Sequence, residues 1–190
     1  MTTQPAPAAT TRSASPATTA PAPRWAVRAA HSLTLLVLPG GLWRLALVLG
    51  FPAGYTAAGF VPFETPSAKA VMLSLSVGSE LIALLTLGLV RPWGETVPHW
   101  LPFIGGRRVR PLAAALPALL GGLVLTFLWA GLPWWWTFPH ADMTRTGHLV
   151  VGLLYFPQFF WGPLTVALAV SYWRRTRVRS GGVARSALDR

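Results

Sequence analysis

The chain has 190 residues, 53% of them hydrophobic and only 11% charged, with 10 tryptophans and no cysteine. Soluble domains carry about 25% charged residues, so an ordinary soluble domain is excluded, and the missing cysteines exclude disulfides and thiolate metal sites. A net charge of +11 suggests a nucleic-acid partner only until its placement is read: the basic residues flank long apolar runs, as in a bilayer protein, and no nucleic-acid binding is expected.

Residues 1–24 form a Pro/Ala/Thr-rich segment without an acidic residue. It has almost nothing large and apolar to bury, so a disordered cytoplasmic tail is expected. Its prolines (Pro5, Pro7, Pro16, Pro21, Pro23) argue against the amphipathic helix of a transit peptide.

Four apolar runs follow within residues 25–175, over about 30–51, 68–90, 112–135 and 148–173. A bilayer core of roughly 30 Å takes about 20 apolar residues per helix, so each run is long enough to cross. The first is interrupted by Pro39-Gly40-Gly41 and Arg44; a proline removes one backbone hydrogen bond, so a bend is expected near Pro39. A cleaved signal with Leu33–Leu38 as its apolar core would need a shorter run without Arg44. The second carries Ser74, Ser76, Ser79 and Glu80 in one half and an unbroken apolar stretch, Leu81–Leu87, in the other. A polar loop then bears Trp93, Trp100 and a Gly105-Gly106-Arg107-Arg108 turn. Pro117 and Gly121-Gly122 lie inside the third run, Pro157 and Pro163 inside the fourth, and residues 176–190 form a basic tail. No internal repeat relates the two halves. The expected fold is all-α: a polytopic membrane protein of four transmembrane helices in an up-down bundle.

Orientation follows from charge. Of 16 basic residues, 13 fall on the side holding the N-terminus, the 91–110 loop and the C-terminus, against Lys69 and Arg145 on the other, with Arg44 inside a span. Basic loops stay inside, so both termini are expected to be cytoplasmic in a bacterial plasma membrane. The aromatic residues agree: Trp25, Trp93, Trp100 and Trp173 fall at the inner interface, and Tyr55 and Trp134-Trp135-Trp136 at the outer one, where amphipathic rings prefer to lie. A ligand cage at the three consecutive tryptophans is the rival to anchoring. Arg107, Arg108, Arg110, Arg174, Arg175, Arg177 and Arg179 set this topology and are candidates for holding anionic lipid headgroups.

Counted from the expected outer ends of their spans, Arg44, Glu80 and Gln158 lie at similar depth, within about 6 Å at 1.5 Å rise per residue. A charge at mid-helix costs about 2.5–3.5 kcal/mol on insertion scales, so such residues face the bundle interior and pair. An Arg44–Glu80 ion pair is expected, with Ser76 on the same helical face as Glu80 and Gln158 as a further member. The layer is either a substrate, ion or proton site or a pair fixing helix register.

The remaining titratable residues form no recognisable motif. His140, Asp142 and His148 on one outer loop and Glu64 on the other are metal-ligand types, but their spacing matches no known metal motif. Glu95 and His99 are four apart, but Pro98 between them argues against a shared helical face, and a solvated loop is expected. No nucleophile triad, phosphate loop or paired carboxylate is present, so no catalytic residue, cofactor or metal is assigned. The stretches Gly41-Leu42-Trp43-Arg44, Leu89-Val90-Arg91-Pro92-Trp93-Gly94-Glu95, Gly105-Gly106-Arg107-Arg108-Val109 and Trp161-Gly162-Pro163-Leu164 resemble a group of uncharacterised small four-helix integral membrane proteins of high-GC actinobacteria. The resemblance spans roughly residues 35–175 and implies a bacterial plasma membrane; no activity or site residue comes with it. The expected role is a non-enzymatic membrane protein with membrane lipids as partners, and a homo-oligomer or a membrane-protein partner in addition. The alternative is a small oligomeric carrier or channel using the Arg44/Glu80/Gln158 layer.

Overall fold

In the computed structural model the described residues are 21–94, 96, 105–106 and 109–188, with side chains described as far as 177. The expected disordered tail and the loop residues Arg107, Arg108, His99 and Trp100 lie largely or wholly outside them. The described chain is helical: α1 (Arg24–Val48), α2 (Ala57–Phe60), α3 (Pro66–Leu87), α4 (Pro111–Trp129), α5 (Arg145–Tyr155) and α6 (Trp161–Leu188). Four helical stretches are long and apolar enough to cross a membrane: Arg24–Val48, Pro66–Leu87, Pro111–Thr137 and Arg145–Arg177.

Three boundaries differ from the sequence expectation. α1 begins at Arg24, ahead of the expected span, and continues through Pro39. The fourth stretch is two α-helices joined by a 3₁₀ segment, Phe156–Phe160. Pro157 lies within that segment and Pro163 in the first turn of α6, and each removes the hydrogen bond to the carbonyl four residues earlier, which is why the helix loosens there. Residues 176–188, expected as a tail, continue α6.

Ala26, Ala30, Leu33, Val37, Gly40, Gly41, Arg44 and Leu47 form one buried stripe along α1, at the spacing of a single helical face. Its Ala26, Ala30, Leu33 and Val37 share one core with Ala83 of α3 and Trp161, Leu168, Ala169 and Tyr172 of α6, which Ala115 of α4 joins. Large apolar side chains instead face outward, Leu81 and Leu85 on α3 and Phe127 and Leu128 on α4 among them. Large apolar side chains facing outward suit a lipid surround.

α1 packs against α3 and α6, and α4 against α6, whereas α3 and α4 hardly touch. The up-down arrangement is therefore an open row, α3–α1–α6–α4, and not a closed bundle. One end holds both described termini and the 88–94 turn; the far end holds the loops at 49–65 and 130–144. At the termini end, α6 ties down the turn after α3: Arg175 Nη2 donates to the Leu89 carbonyl at 2.9 Å and the Tyr172 hydroxyl to the Gly94 carbonyl at 3.1 Å.

The far-end loops clasp each other reciprocally. Thr56 N donates to the Asp142 carbonyl and Thr144 N to the Gly54 carbonyl, both at 2.9 Å, forming an isolated antiparallel bridge between Tyr55 and Met143. Each threonine also caps the helix it precedes, accepting from Gly59 N at 3.1 Å and Gly147 N at 2.9 Å. Each then donates its own hydroxyl across the clasp, to Asp142 O at 3.0 Å and Gly54 O at 3.1 Å. Gly54 has φ +105°, and a Cβ on Gly147 would run into its backbone. The two loops thus share a short Thr-x-x-Gly repeat, Thr56–Gly59 and Thr144–Gly147.

Candidate functional site

Under this clasp the sequence-expected polar residues do come together. Arg44 extends the buried stripe of α1 and is only 7% exposed. Its side chain reaches α3 and α5 at once: Nε donates to Ser76 Oγ at 3.0 Å, Nη2 to Ser79 Oγ at 2.9 Å and Nη1 to the Tyr155 hydroxyl at 3.0 Å. The serine hydroxyls are aimed for this, because Ser76 donates its own proton to the Met72 carbonyl and Ser79 to the Ser76 carbonyl. Their lone pairs are left to accept from the guanidinium. All three nitrogens of Arg44 are thereby matched by neutral oxygens.

The expected direct Arg44–Glu80 ion pair does not form among the described residues. Glu80 Oε1 is buried and accepts no hydrogen bond there; it lies against Gly41, where an added Cβ would be 3.1 Å away. The reason is register: Ser76, Ser79 and Glu80 share one face of α3, and the two serines stand nearer the far end, where the Arg44 head points. Gln158 belongs to the same layer. It is 1% exposed, its Nε2 is buried without a hydrogen-bond partner among the described residues, and it abuts Gly40, where a Cβ would come within 2.5 Å. The Gly40-Gly41 step is what lets Gln158 and Glu80 approach the α1 backbone from two directions.

An aromatic wall separates the layer from the far end. Tyr155 meets Trp43 edge-on with ring centroids 5.5 Å apart and Trp129 at 5.8 Å, and Trp43 Nε1 donates to the Ala53 carbonyl at 2.8 Å. Tyr55 covers Trp43 at 5.8 Å. Burial, with the charge of Asp142 and the neighbouring Tyr155 adding to it, pushes the Tyr55 phenol up to about 12, so it remains a neutral hydroxyl in this wall. Tyr155 and Ser79 were not singled out as site residues by the sequence reading. Both carry a spacing signal, Ser79 beside Glu80 and three residues from Ser76, and Tyr155 three residues before Gln158.

The other candidates separate. Trp135 donates Nε1 to the His148 carbonyl at 3.0 Å and stacks on His140 at 3.9 Å. Trp136 packs on Phe156 and lies with Trp135 against Gly152 of α5, while Trp134 is 59% exposed, so the three rings do not line one cage. His140 and His148 approach to 4.6 Å between centroids, but no three metal-ligating side chains gather among the described residues. Of the basic residues, Arg110, Arg174 and Arg177 are exposed, with Arg177 over the Trp173 ring at 3.8 Å. Arg175 is turned inward onto Leu89, a structural tie in place of a lipid-facing charge. Arg107, Arg108 and the Arg179 side chain lie outside the described residues.

No family model, no curated protein and no solved structure matches the chain.

Proposed function

We propose that the chain is a non-enzymatic, multi-pass protein of a bacterial plasma membrane, with both termini cytoplasmic and the clasped loops outside. The 13-to-2 division of basic residues supports this orientation. In this reading Arg44 fixes the register of the helices. The observation that carries it is the guanidinium hydrogen-bonded through all three nitrogens to Ser76, Ser79 and Tyr155: one side chain thereby joins α1, α3 and α5.

A second reading has its own observation. Glu80 Oε1 and Gln158 Nε2 are buried polar atoms without partners among the described residues, and such atoms call for an explanation such as an ion or a water. That favours a small carrier of a polar solute or proton through the same layer. Flux into proteoliposomes under imposed proton and ion gradients separates the two. The register reading predicts no flux above protein-free vesicles; flux that is abolished by Gln158→Leu while the protein stays folded would replace it with the carrier.

A further inference from the structure

The row of helices leaves its two outer members unjoined. Between α3 and α4 lies a cavity of about 500 Å³, within the range of about 300–1,000 Å³ typical of ligand pockets. Its walls are Ile82 and Leu85 of α3 and Ala113, Pro117, Gly121 and Leu125 of α4. At its back, Thr86 and Thr165 spend their hydroxyls on the Ala83 and Trp161 carbonyls of their own helices, so the lining presents an apolar face.

Its dimensions select the occupant. From Ala113 to Leu125 it runs about 18 Å along α4 at 1.5 Å per residue, close to one leaflet of a core roughly 30 Å thick. The cavity is too narrow to enclose a helix about 10 Å across, and its length and apolar lining suit one extended hydrocarbon chain. The cavity ends at the termini end against Trp93 and Val109, and Arg110, next in the chain and capping α4, is exposed there.

We infer that the crevice between α3 and α4 is a binding site for one acyl chain of an anionic phospholipid whose headgroup meets Arg110. This rests on the membrane reading above but on neither account of the polar layer. Small residues on α4 (Ala113, Pro117, Gly121) keep the groove open, and Arg110 supplies the preference for negative charge.

The test uses the full chain in nanodiscs of phosphatidylglycerol and phosphatidylcholine, transferred to detergent and weighed by native mass spectrometry. A Cβ added to Gly121 meets nothing within 4 Å, and the same holds for Gly78, which does not line the crevice. Gly121→Leu therefore places a side chain in the groove with no clash at its Cβ, and Gly78→Leu is the matched control. The wild-type chain and Gly78→Leu are expected to retain one phosphatidylglycerol, and Gly121→Leu to lose at least tenfold of it. Arg110→Gln should lower the preference over phosphatidylcholine roughly fivefold, the share of one surface arginine. Equal retention of the two lipids by the wild-type chain would overturn the proposal. So would unchanged retention by Gly121→Leu, or a change in oligomeric state on that substitution with lipid content unaltered.

Discussion

Arg44 hydrogen-bonds to Ser76, Ser79 and Tyr155 and not to Glu80, and this makes the two charges of the layer unequal in their consequences. Arg44→Gln leaves three hydroxyls short of a donor and should destabilise the protein by about 2–3 kcal/mol, the cost of orphaning buried partners of a charged group. Glu80→Gln removes no hydrogen bond among the described residues and should cost less than about 1 kcal/mol. Thermal unfolding in detergent of both variants decides this, since equal losses would mean that the carboxylate and guanidinium pair directly. The glycine step gives a second comparison. A Cβ on Gly40 would sit 2.5 Å from Gln158 Nε2, whereas one on Gly41 would sit 3.1 Å from Glu80 Oε1. Gly40→Ala should therefore lower stability by roughly 1–3 kcal/mol, the usual range for overpacking, and Gly41→Ala by less, read from the same unfolding curves. That Arg44, Glu80 and Gln158 share a layer was legible in the sequence, because charges inside apolar runs must find each other. Which partner Arg44 takes was not, because a one-turn difference along α3 separates Ser76 from Glu80 and span ends read from hydropathy are uncertain by about as much.

At the scale of elements, the broken fourth stretch and the clasp work together. The Phe156–Phe160 segment sets Tyr155 and Gln158 toward α1, and the prolines that loosen it were visible in the chain; the resulting change from α to 3₁₀ was not, because prolines inside membrane helices are often absorbed by neighbouring contacts. The clasp was hidden for a different reason. Thr56-x-x-Gly59 and Thr144-x-x-Gly147 each read locally as a helix cap, and only their pairing in space joins them. A threonine cap is worth about 1 kcal/mol, so Thr56→Val and Thr144→Val should each cost about that or a little more. Because the two loops hold each other through reciprocal hydrogen bonds, their effects should couple by 0.5 kcal/mol or more in a double-mutant cycle, as contacting residues do. Strict additivity would mean that the loops are capped independently and do not support one another.

For the molecule as a whole, composition was enough to read four long apolar helices, since half the usual charge leaves no other way to bury the chain. The open row was not readable, because apolar residues surround α3 and α4 on nearly every side and periodicity then cannot say which face meets protein and which meets lipid. The two-sidedness of the charge carries the central claim, that the chain crosses the membrane four times with the clasp outside and both termini inside. The chain has no cysteine, so single cysteines can be placed on an unaltered background. Asp142→Cys in the clasp and Thr96→Cys at the opposite end are both at exposed positions. In intact spheroplasts a membrane-impermeant maleimide should label Asp142→Cys at once and Thr96→Cys only after permeabilisation. Labelling of Thr96→Cys in intact spheroplasts with Asp142→Cys protected would contradict the orientation, and equal labelling of both would contradict the four-span arrangement itself.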